Sequence, residues 1–501
     1  MNNSFLKKPA LFLVILSFVI AVTLLTYLGI RFPSDGVYYH ALADNYLRYR
    51  EMKDASMIPP APVLTYQNGI VYFLVFAKYI FGDNWWLLYV LVVSLLWFVF
   101  VLKLHNTFEK IVSEDLNNKD KWLTWILCFV PLFHYDTVLI IGSFMNESIL
   151  MPLLWLFFLK CFDLIRESLL SNSTIIYEHI KLSDIIILIC IIFFGVLFRI
   201  QSIFFIMPMM FGLFLIRLIS VRSLIISICI PIVILFFLKL NVNSPISETI
   251  LSSLYINIFS FETYYKLLSI ISSPISFISI SAPREFLVGS PLQLILMLIT
   301  ATLFLIGLKN LWMISRTLSS LLLSVFFLNS IFLLTLPMHS SRYEHLLTVP
   351  LLIIFLYACK DAPFFFKKMR QVYVVMSALM IFILFSYISS YLNNLDRVTT
   401  MSKITSYKML EKKVQGLNNF VIYSNEPRYP YWYFGLASCD HVPSECLRLK
   451  KLKASDNIYF IGKGLEIHEN LYLHNYNIEA NDQDLDNFNI WTVSKKESTI
   501  K

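Results

Sequence analysis

The chain has 501 residues, of which 57% are hydrophobic and only 15% are charged. A soluble fold of this length could not keep so much apolar side chain away from water, so the composition excludes an ordinary soluble globular protein and indicates the bilayer as solvent. The net charge of +8 comes from Lys and Arg spread over predicted loops. That distribution favours contact with anionic lipid head groups and argues against a nucleic-acid partner.

Apolar segments that meet or approach the length of a membrane-spanning helix recur along residues 1–392. The first follows Lys7 and Lys8 and has no small-residue cleavage site after it, so we interpret it as a retained helix rather than a signal peptide. The predicted fold class is an all-α polytopic membrane protein with about eleven transmembrane helices. The expected spans are residues 10–30, 84–104, 122–138, 146–165, 183–198, 202–217, 223–240, 290–308, 318–337, 346–360 and 372–392.

The apolar stretch 69–82 decides the orientation of every later span. It is too short for an ordinary span and suits a helix at the membrane interface, inside a first outer loop over 31–83. With this choice, the loops rich in Lys and Arg, including the one that we expect to hold Arg166, fall on the side of Lys7 and Lys8, as the positive-inside rule requires. The prediction is a cytoplasmic N-terminus, a second large outer loop over 241–289 and a C-terminus outside the cytoplasm.

The tail over 393–501 is more polar than the rest of the chain. A Lys- and Glu-containing helical stretch precedes short strand-like runs at NFVIYS, NIYFIG, LYLHNYNI and FNIWTV, which predicts a small extracytoplasmic α/β domain. Cys439 and Cys446, with six residues between them, either close a disulfide in an oxidising compartment or remain two thiols. A zinc site fits less well, because His441 is the nearby imidazole and the spacing matches no common finger.

Polar residues at the predicted span ends gather on the outer side. Ionisable groups near a membrane are expensive, so these are functional candidates. The centres of the spans are almost without charge, which argues against a proton-coupled transporter or an ion pore. The chain also has no phosphate-binding Gly-rich loop, CxxC pair or HExxH motif, so direct use of a soluble nucleotide is not expected. The outer residues are Asp35, Asp136, Glu147, Arg199, Gln201, His339, Arg342, Tyr343, Glu344 and His345.

Each candidate also has an ordinary structural interpretation. Asp35 in PSDG could stabilise a turn, and Asp44 could be a solvent-facing charge. Glu147 could be a charge favoured by the dipole of a helix N-terminus, and Arg199 and Arg342 could be head-group anchors. Two contexts favour function instead: PSDGVYYHALADNYLRYR holds a carboxylate beside aromatic rings just outside a span, and HSSRYEH crowds several hydrogen-bonding side chains into one short turn.

The order of these parts resembles the C-type (GT-C) membrane glycosyltransferases, which include protein and GPI mannosyltransferases and the aminoarabinose transferase. The similarity covers nearly the full length, although no single motif is specific. The segments that carry it are FPSDGVYYHALADNYL, PVLTYQNGIVYFLVFAKYIFGDNWW, NESILMPLLWLFF, GVLFRIQSIFFIMP, HSSRYEHLLTVPLLIIFLYA and VIYSNEPRYPYWYFG. Residues 1–392 would then be the catalytic module.

The resemblance implies a transferase that moves a sugar from a polyprenyl-phosphate-linked donor to an extracytoplasmic acceptor with inversion. It assigns Asp35 as general base, and Arg342 and then Arg199 to the donor phosphate. Many relatives have an Asp-x-Asp or Asp-Glu pair where this chain has Asp35 alone, which leaves dependence on Mg or Mn open; no other cofactor is expected. The residues expected to position substrate are Tyr39, His40, Asp44, Glu147, His339 and Tyr343.

Three other functions are considered. An O-antigen or capsular polysaccharide polymerase also has many spans and outer arginines, but it transfers a whole glycan chain. A lipid-linked glycan flippase or other transporter should show repeat symmetry and polar residues at mid-depth. A non-catalytic scaffold would tolerate loss of Asp35. The expected partners are the donor lipid, membrane lipid and a glycan, lipid or protein acceptor, and the expected location is a bacterial inner membrane.

Overall fold

The structure is a computed structural model of the chain. The described residues are 4–27, 34–51, 53–54, 56, 61–62, 68–115, 122–142, 144–170, 182–199, 202–216, 218–222, 224–226, 229, 233, 271, 291–335, 345–358, 360, 412, 420–424, 431, 457–463, 476–479 and 488–495.

The described chain is mostly helical. Apolar runs supply most of the helices, whereas α2 is polar. The helices are α1 (Ser4–Tyr27), α2 (Ser34–Tyr49), α3 (Asn68–Phe81), α4 (Trp85–Lys110), α5 (Trp122–Phe133), α6 (Tyr135–Gly142), α7 (Glu147–Leu170), α8 (Leu182–Phe198), α9 (Ile203–Leu215), α10 (Pro291–Ile314), α11 (Arg316–Thr335) and α12 (Thr348–Ala358). Short 3₁₀ turns cover Gly82–Asn84 and His345–Leu347, and a π-helical turn covers Ile111–Asp115.

Two helices among the described residues are long and apolar enough to cross a bilayer, within Gly69–Asp115 and Glu147–Leu169. Shorter apolar helices accompany them, and the count of about eleven spans stays a prediction. Along α4, the exposed side chains at every fourth position are Leu87, Leu91, Leu95 and Val99. An apolar stripe of this kind is what a helix presents to lipid, and it would be unfavourable in water.

The predicted short helix over 69–82 is present as α3. It ends at Gly82, whose φ of +54° is a conformation that glycine adopts without the steric cost of a Cβ. At its other end, a Cβ on Gly69 would lie 2.7 Å from the Cα of Phe198, so only a glycine lets α3 approach the end of α8 this closely. Both glycines therefore fix where α3 lies, while its position at the membrane interface stays a prediction.

The predicted span over 122–138 is divided in two. Helix α5 contains Pro131 and ends at Phe133, and α6 begins again at Tyr135. Proline removes a backbone donor and crowds the preceding turn, which breaks a helix near its position. The Thr137 hydroxyl donates to the Pro131 carbonyl at 2.6 Å, so the break is stabilised by a side chain. His134 lies between the two helices and is buried.

Strands occur in two places. Lys53–Asp54 (β1) and Ala61–Pro62 (β2) form a short antiparallel pair. In the tail, β3 (Phe420–Ser424), β4 (Asn457–Lys463), β5 (Tyr476–Glu479) and β6 (Phe488–Lys495) form a sheet in the order β3-β4-β6-β5. The β3–β4 pair is parallel and the other pairs are antiparallel. These strands overlap the four predicted runs; the predicted helical stretch before them lies outside the described residues except at 412, so a separate α/β domain stays a prediction.

Candidate active site

The turn between α6 and α7 forms the centre of the candidate site. Backbone amides of Phe144 and Met145 donate to the carbonyls of Ile141 (3.3 Å) and Ile140 (3.1 Å), which is the Schellman pattern that ends a helix. The residue at the left-handed position of this pattern is usually glycine, but here Phe144 occupies it with φ +52°. A bulky residue in this conformation is strained and persists because its surroundings hold it there.

Contacts of the Phe144 ring hold the residue in this strained conformation. The ring is fully buried, with its centroid 5.1 Å from the rings of both Trp85 and Tyr89 and 5.7 Å from the ring of His40. The Tyr89 hydroxyl donates to the Ile141 carbonyl at 3.0 Å, so α4 holds the end of α6 as well. Aromatic pairs of this geometry contribute about 0.5–1.5 kcal/mol each beyond area burial. The turn is therefore fixed between α2 and α4.

A buried ion pair joins this turn to the end of α8. Glu147 is the first residue of α7, Arg199 follows α8, and the Arg199 Nη1 donates to Glu147 Oε1. Both side chains are buried, so each charge depends on a partner for its solvation. Asn146, the residue before Glu147, donates through its side-chain amide to the Phe198 carbonyl. Two consecutive residues at the start of α7 thus bind two consecutive residues at the end of α8.

Helix α2 contributes the predicted general base and its aromatic neighbours. Asp35 is the second residue of α2, and its backbone position is described. Tyr38 and Tyr39 are buried, and the ring of His40 lies 4.2 Å from that of Trp85. Burial, and secondarily the positive charge of Lys78, lowers the pKa of His40 well below 6.5. His40 is therefore a neutral imidazole at neutral pH, packed against the same Trp85 that contacts Phe144.

Asp44 is not a simple solvent-facing charge. Lys78 of α3 donates to Asp44 Oδ1 at 2.6 Å, and the hydroxyl of Tyr431 donates to Oδ2 at 2.8 Å. The Lys78 ammonium also lies 6.0 Å from the centroid of the Trp85 ring. The carboxylate thereby joins α2, α3 and a residue of the tail, which gives it protein partners on both oxygens.

The remaining predicted site residues fall outside the described part of the chain. His339, Arg342 and Tyr343 lie in 336–344, and Cys439 and Cys446 lie in the tail beyond 431. Their roles stay predictions. The described structure brings the predicted residues His40, Glu147 and Arg199 into a single connected region. Asp44 reaches the same aromatic group through Lys78 and Trp85.

A histidine cluster was not predicted as a unit. His345 is buried at the start of the 3₁₀ turn that precedes α12. It hydrogen bonds with Thr137 at 2.7 Å and with Thr348 at 2.9 Å. Its ring stacks on that of His134 at 4.1 Å. His134 lies inside a predicted span, and the sequence signal that could have found it is the imidazole three residues after Pro131, where the helix breaks.

A second charged network lies at the opposite end of α7. Arg166 donates through Nε to Asp115 at 2.9 Å and through Nη2 to Glu114 at 2.8 Å, and the Tyr357 hydroxyl donates to Asp115. The prediction that Arg166 lies in a loop is wrong, because α7 continues to Leu170 and the guanidinium is buried. Carboxylates from the π-helical turn solvate it, which the local sequence around Arg166 does not reveal.

Among the described residues, no three His, Cys, Asp or Glu side chains come together in a way that would hold a metal ion. The described side chains of the candidate site are an ion pair, aromatic rings and a neutral imidazole. Comparisons with protein-family models, with curated proteins and with solved structures found no match to this chain.

Proposed function

We propose that the protein is an integral membrane glycosyltransferase that moves a sugar from a polyprenyl-phosphate-linked donor to an acceptor outside the cytoplasm. The proposal includes about eleven spans, a cytoplasmic N-terminus and an extracytoplasmic α/β tail, in a bacterial inner membrane. It rests on the resemblance in motif order and on one structural observation. That observation is the buried Glu147–Arg199 ion pair. The rings of Phe144, Trp85 and His40 connect it to α2, the helix that carries Asp35.

In this proposal, Asp35 takes the proton of the acceptor hydroxyl as its oxygen attacks the anomeric carbon of the donor sugar. The bond between that carbon and the phosphate oxygen breaks, and the lipid phosphate leaves with the bonding electron pair. A single displacement inverts the anomeric configuration. The acceptor gains the sugar, Asp35 holds the proton, and the lipid phosphate is the second product.

The arginines stabilise the leaving phosphate. A guanidinium makes paired, charge-assisted hydrogen bonds to phosphate oxygens, and Arg199 would do so with its planar group oriented by Glu147. Arg342 would contribute a second guanidinium. Glu147 thereby acts on the donor through Arg199, while His339 and Tyr343 would contact sugar hydroxyls or the phosphate.

The packing of α2 supports the assignment of Asp35 as the general base. The polar helix is held against apolar helices by the buried rings of Tyr38, Tyr39 and His40, which fixes the backbone that carries Asp35. Such fixation is what an acid–base residue needs, since misplacement by about 1 Å can cost on the order of a hundredfold in rate.

The test is transfer of labelled sugar from a polyprenyl-phosphate-sugar pool to endogenous acceptors, in membranes with matched amounts of protein. Asp35→Asn should abolish transfer, because the amide cannot accept the acceptor's proton. Asp83→Asn, a change at an exposed carboxylate in the turn after α3, is the control and should retain transfer. Equal transfer by wild type and Asp35→Asn would remove Asp35 as the base. No transfer by any form, over several donor lipids, would favour a polymerase or a transporter.

A further inference from the structure

The contact between Tyr431 and Asp44 connects parts of the chain that are 387 positions apart. Tyr431 belongs to the tail, and Asp44 lies in the second half of α2. The hydroxyl donates to a carboxylate, and hydrogen bonds to a charged group are about twice as strong as neutral ones. The tail therefore has a specific, polar attachment to the helix that carries the proposed base, Asp35.

The same carboxylate is already held from the other side. Lys78 of α3 donates to Oδ1 at 2.6 Å while Tyr431 donates to Oδ2 at 2.8 Å. The side chain of Lys78 is only 14% exposed and that of Asp44 27% exposed, so the ion pair is largely removed from water. With one donor on each oxygen, the carboxylate has little rotational freedom left, and α2 is clamped between α3 and the tail.

Further contacts connect α2 to its surroundings. The Asn45 amide donates to the Glu51 carbonyl at 2.8 Å, which fixes the C-terminal end of the helix. The ring of Tyr46 lies edge-on to that of Tyr72 on α3 at 6.2 Å. An α-helix is stiff over this length, so a rotation allowed at Asp44 is transmitted along its axis to the turn that contains Asp35.

We propose that Tyr431 is a positioning residue for the sugar transfer, acting through Asp44 to hold α2 in its reactive orientation. This inference rests on the proposed function and extends it by giving the tail a role in the rate of transfer. Tyr431 contacts neither the reacting atoms nor the phosphate in this view. Its hydroxyl sets the position of the backbone from which Asp35 acts.

Steady-state transfer by the purified full chain tests the proposal. Tyr431→Phe removes one oxygen and should lower kcat about tenfold with the donor KM unchanged, because the proposal places the donor phosphate on Arg199 and Arg342, which lie outside α2. Tyr49→Phe is the matched control, since Tyr49 is a tyrosine on α2 itself and is 69% exposed. It should keep wild-type kcat.

A double-variant cycle separates positioning from a general loss of structure. If Tyr431 acts through Asp44, Asp44→Ala combined with Tyr431→Phe should be no slower than Asp44→Ala alone, because alanine leaves no acceptor for the Tyr431 hydroxyl. Additive losses would overturn the proposed route. Equal kcat values for wild type, Tyr431→Phe and Tyr49→Phe would overturn the inference and leave the glycosyltransferase proposal intact.

Cross-linking tests the contact without an activity measurement. In a chain whose seven native cysteines are replaced by alanine, Asp44→Cys and Tyr431→Cys should be joined by a short bismaleimide. A bismaleimide is used because side chains that meet at their tips leave Cα atoms too far apart for a disulfide. After cleavage between the two positions, the fragments should stay linked only in the double variant and not in either single one. Absence of the link would overturn the inference, whereas no transfer by wild-type protein with any donor would overturn the proposed function and this role with it.

Discussion

The two ends of α7 both bury an arginine against acidic side chains, but the two ion pairs lie in different surroundings. Arg166 donates to Asp115 and Glu114 of the π-helical turn, and Tyr357 of α12 donates to the same Asp115, so this network joins α7 to two other elements. Arg199 donates to Glu147, next to the turn that contacts His40 of α2 through Phe144. We infer that the Arg166 end stabilises the fold and that the Arg199 end serves the proposed donor site.

The largest effect is expected at the Arg166 end. Arg166→Met leaves Asp115 buried without its main counter-charge, and breaking a buried pair in this way costs about 3–5 kcal/mol of unfolding free energy. Thermal unfolding in detergent should show the loss. Lys53→Met, which removes one member of an exposed pair with Glu51, is the control and should change little. A small loss for Arg166→Met would show that this network is not structural.

The helix that brings Tyr357 to the network offers a second way to disturb the same end. Gly307 of α10 lies so close to α12 that a Cβ there would be 2.1 Å from the Ile354 carbonyl oxygen. Gly307→Ala forces backbone apart and should lower the unfolding free energy by about 1–3 kcal/mol. Gly82→Ala is the comparison variant. Gly82 has open space around it and a positive φ, so this variant measures the cost of the backbone conformation without a steric clash. Unchanged stability of Gly307→Ala would mean that α10 and α12 can separate freely.

The Arg199 end should respond in activity more than in stability. Arg199→Lys keeps the charge beside Glu147 but loses the planar guanidinium, so phosphate recognition should suffer about tenfold in kcat/KM. The unfolding free energy should change by less than for Arg166→Met. Labelled-sugar transfer and thermal unfolding of the same preparation measure both quantities. If Arg199→Lys lowers the unfolding free energy but keeps kcat/KM, the Arg199 end of α7 is structural and the comparison with the Arg166 end is reversed.

The smallest effect is a pH dependence that originates at His40. Its pKa is lowered in the folded protein by burial and by Lys78, while the unfolded chain binds a proton near 6.5. The unfolded state therefore holds more protons below pH 6.5, and stability should fall by about 1 kcal/mol between pH 6.5 and 5.5. His40→Phe keeps an aromatic ring beside Trp85 and should remove this fall, so that the unfolding free energy changes little between pH 6.5 and 5.5. An unchanged profile in the variant would assign the pH dependence to another group.

The sequence predicts local structure better than it predicts contacts. The short α3 and its end at Gly82 follow from segment length and glycine chemistry, and the tail's strand-like runs overlap the strands that form. The break at Pro131 was missed because the run from 122 to 133 is almost wholly apolar, and hydropathy does not weigh a single proline. Element type depends on nearby residues, so it can be inferred locally.

The candidate site was predicted only as a set of residues near one side of the membrane. Glu147 and Arg199 are 52 positions apart, and each alone has an ordinary explanation as a helix-end charge or a lipid anchor. Their pairing depends on how α7 packs against α8, which no local pattern contains. The same holds for Arg166, whose partners lie in a turn 51 positions earlier.

The π-helical turn at Ile111–Asp115 has a consequence for how this chain can vary. Its hydrogen bonds reach one residue further than those of an α-helix, so the turn contains an extra residue within the helical path. Deleting one residue there would rotate the acidic side chains by about 100° relative to the rest of α4. A related protein with this stretch one residue shorter should therefore carry something other than arginine at the position of Arg166. The length of the π-helical turn and the charge at position 166 should change together.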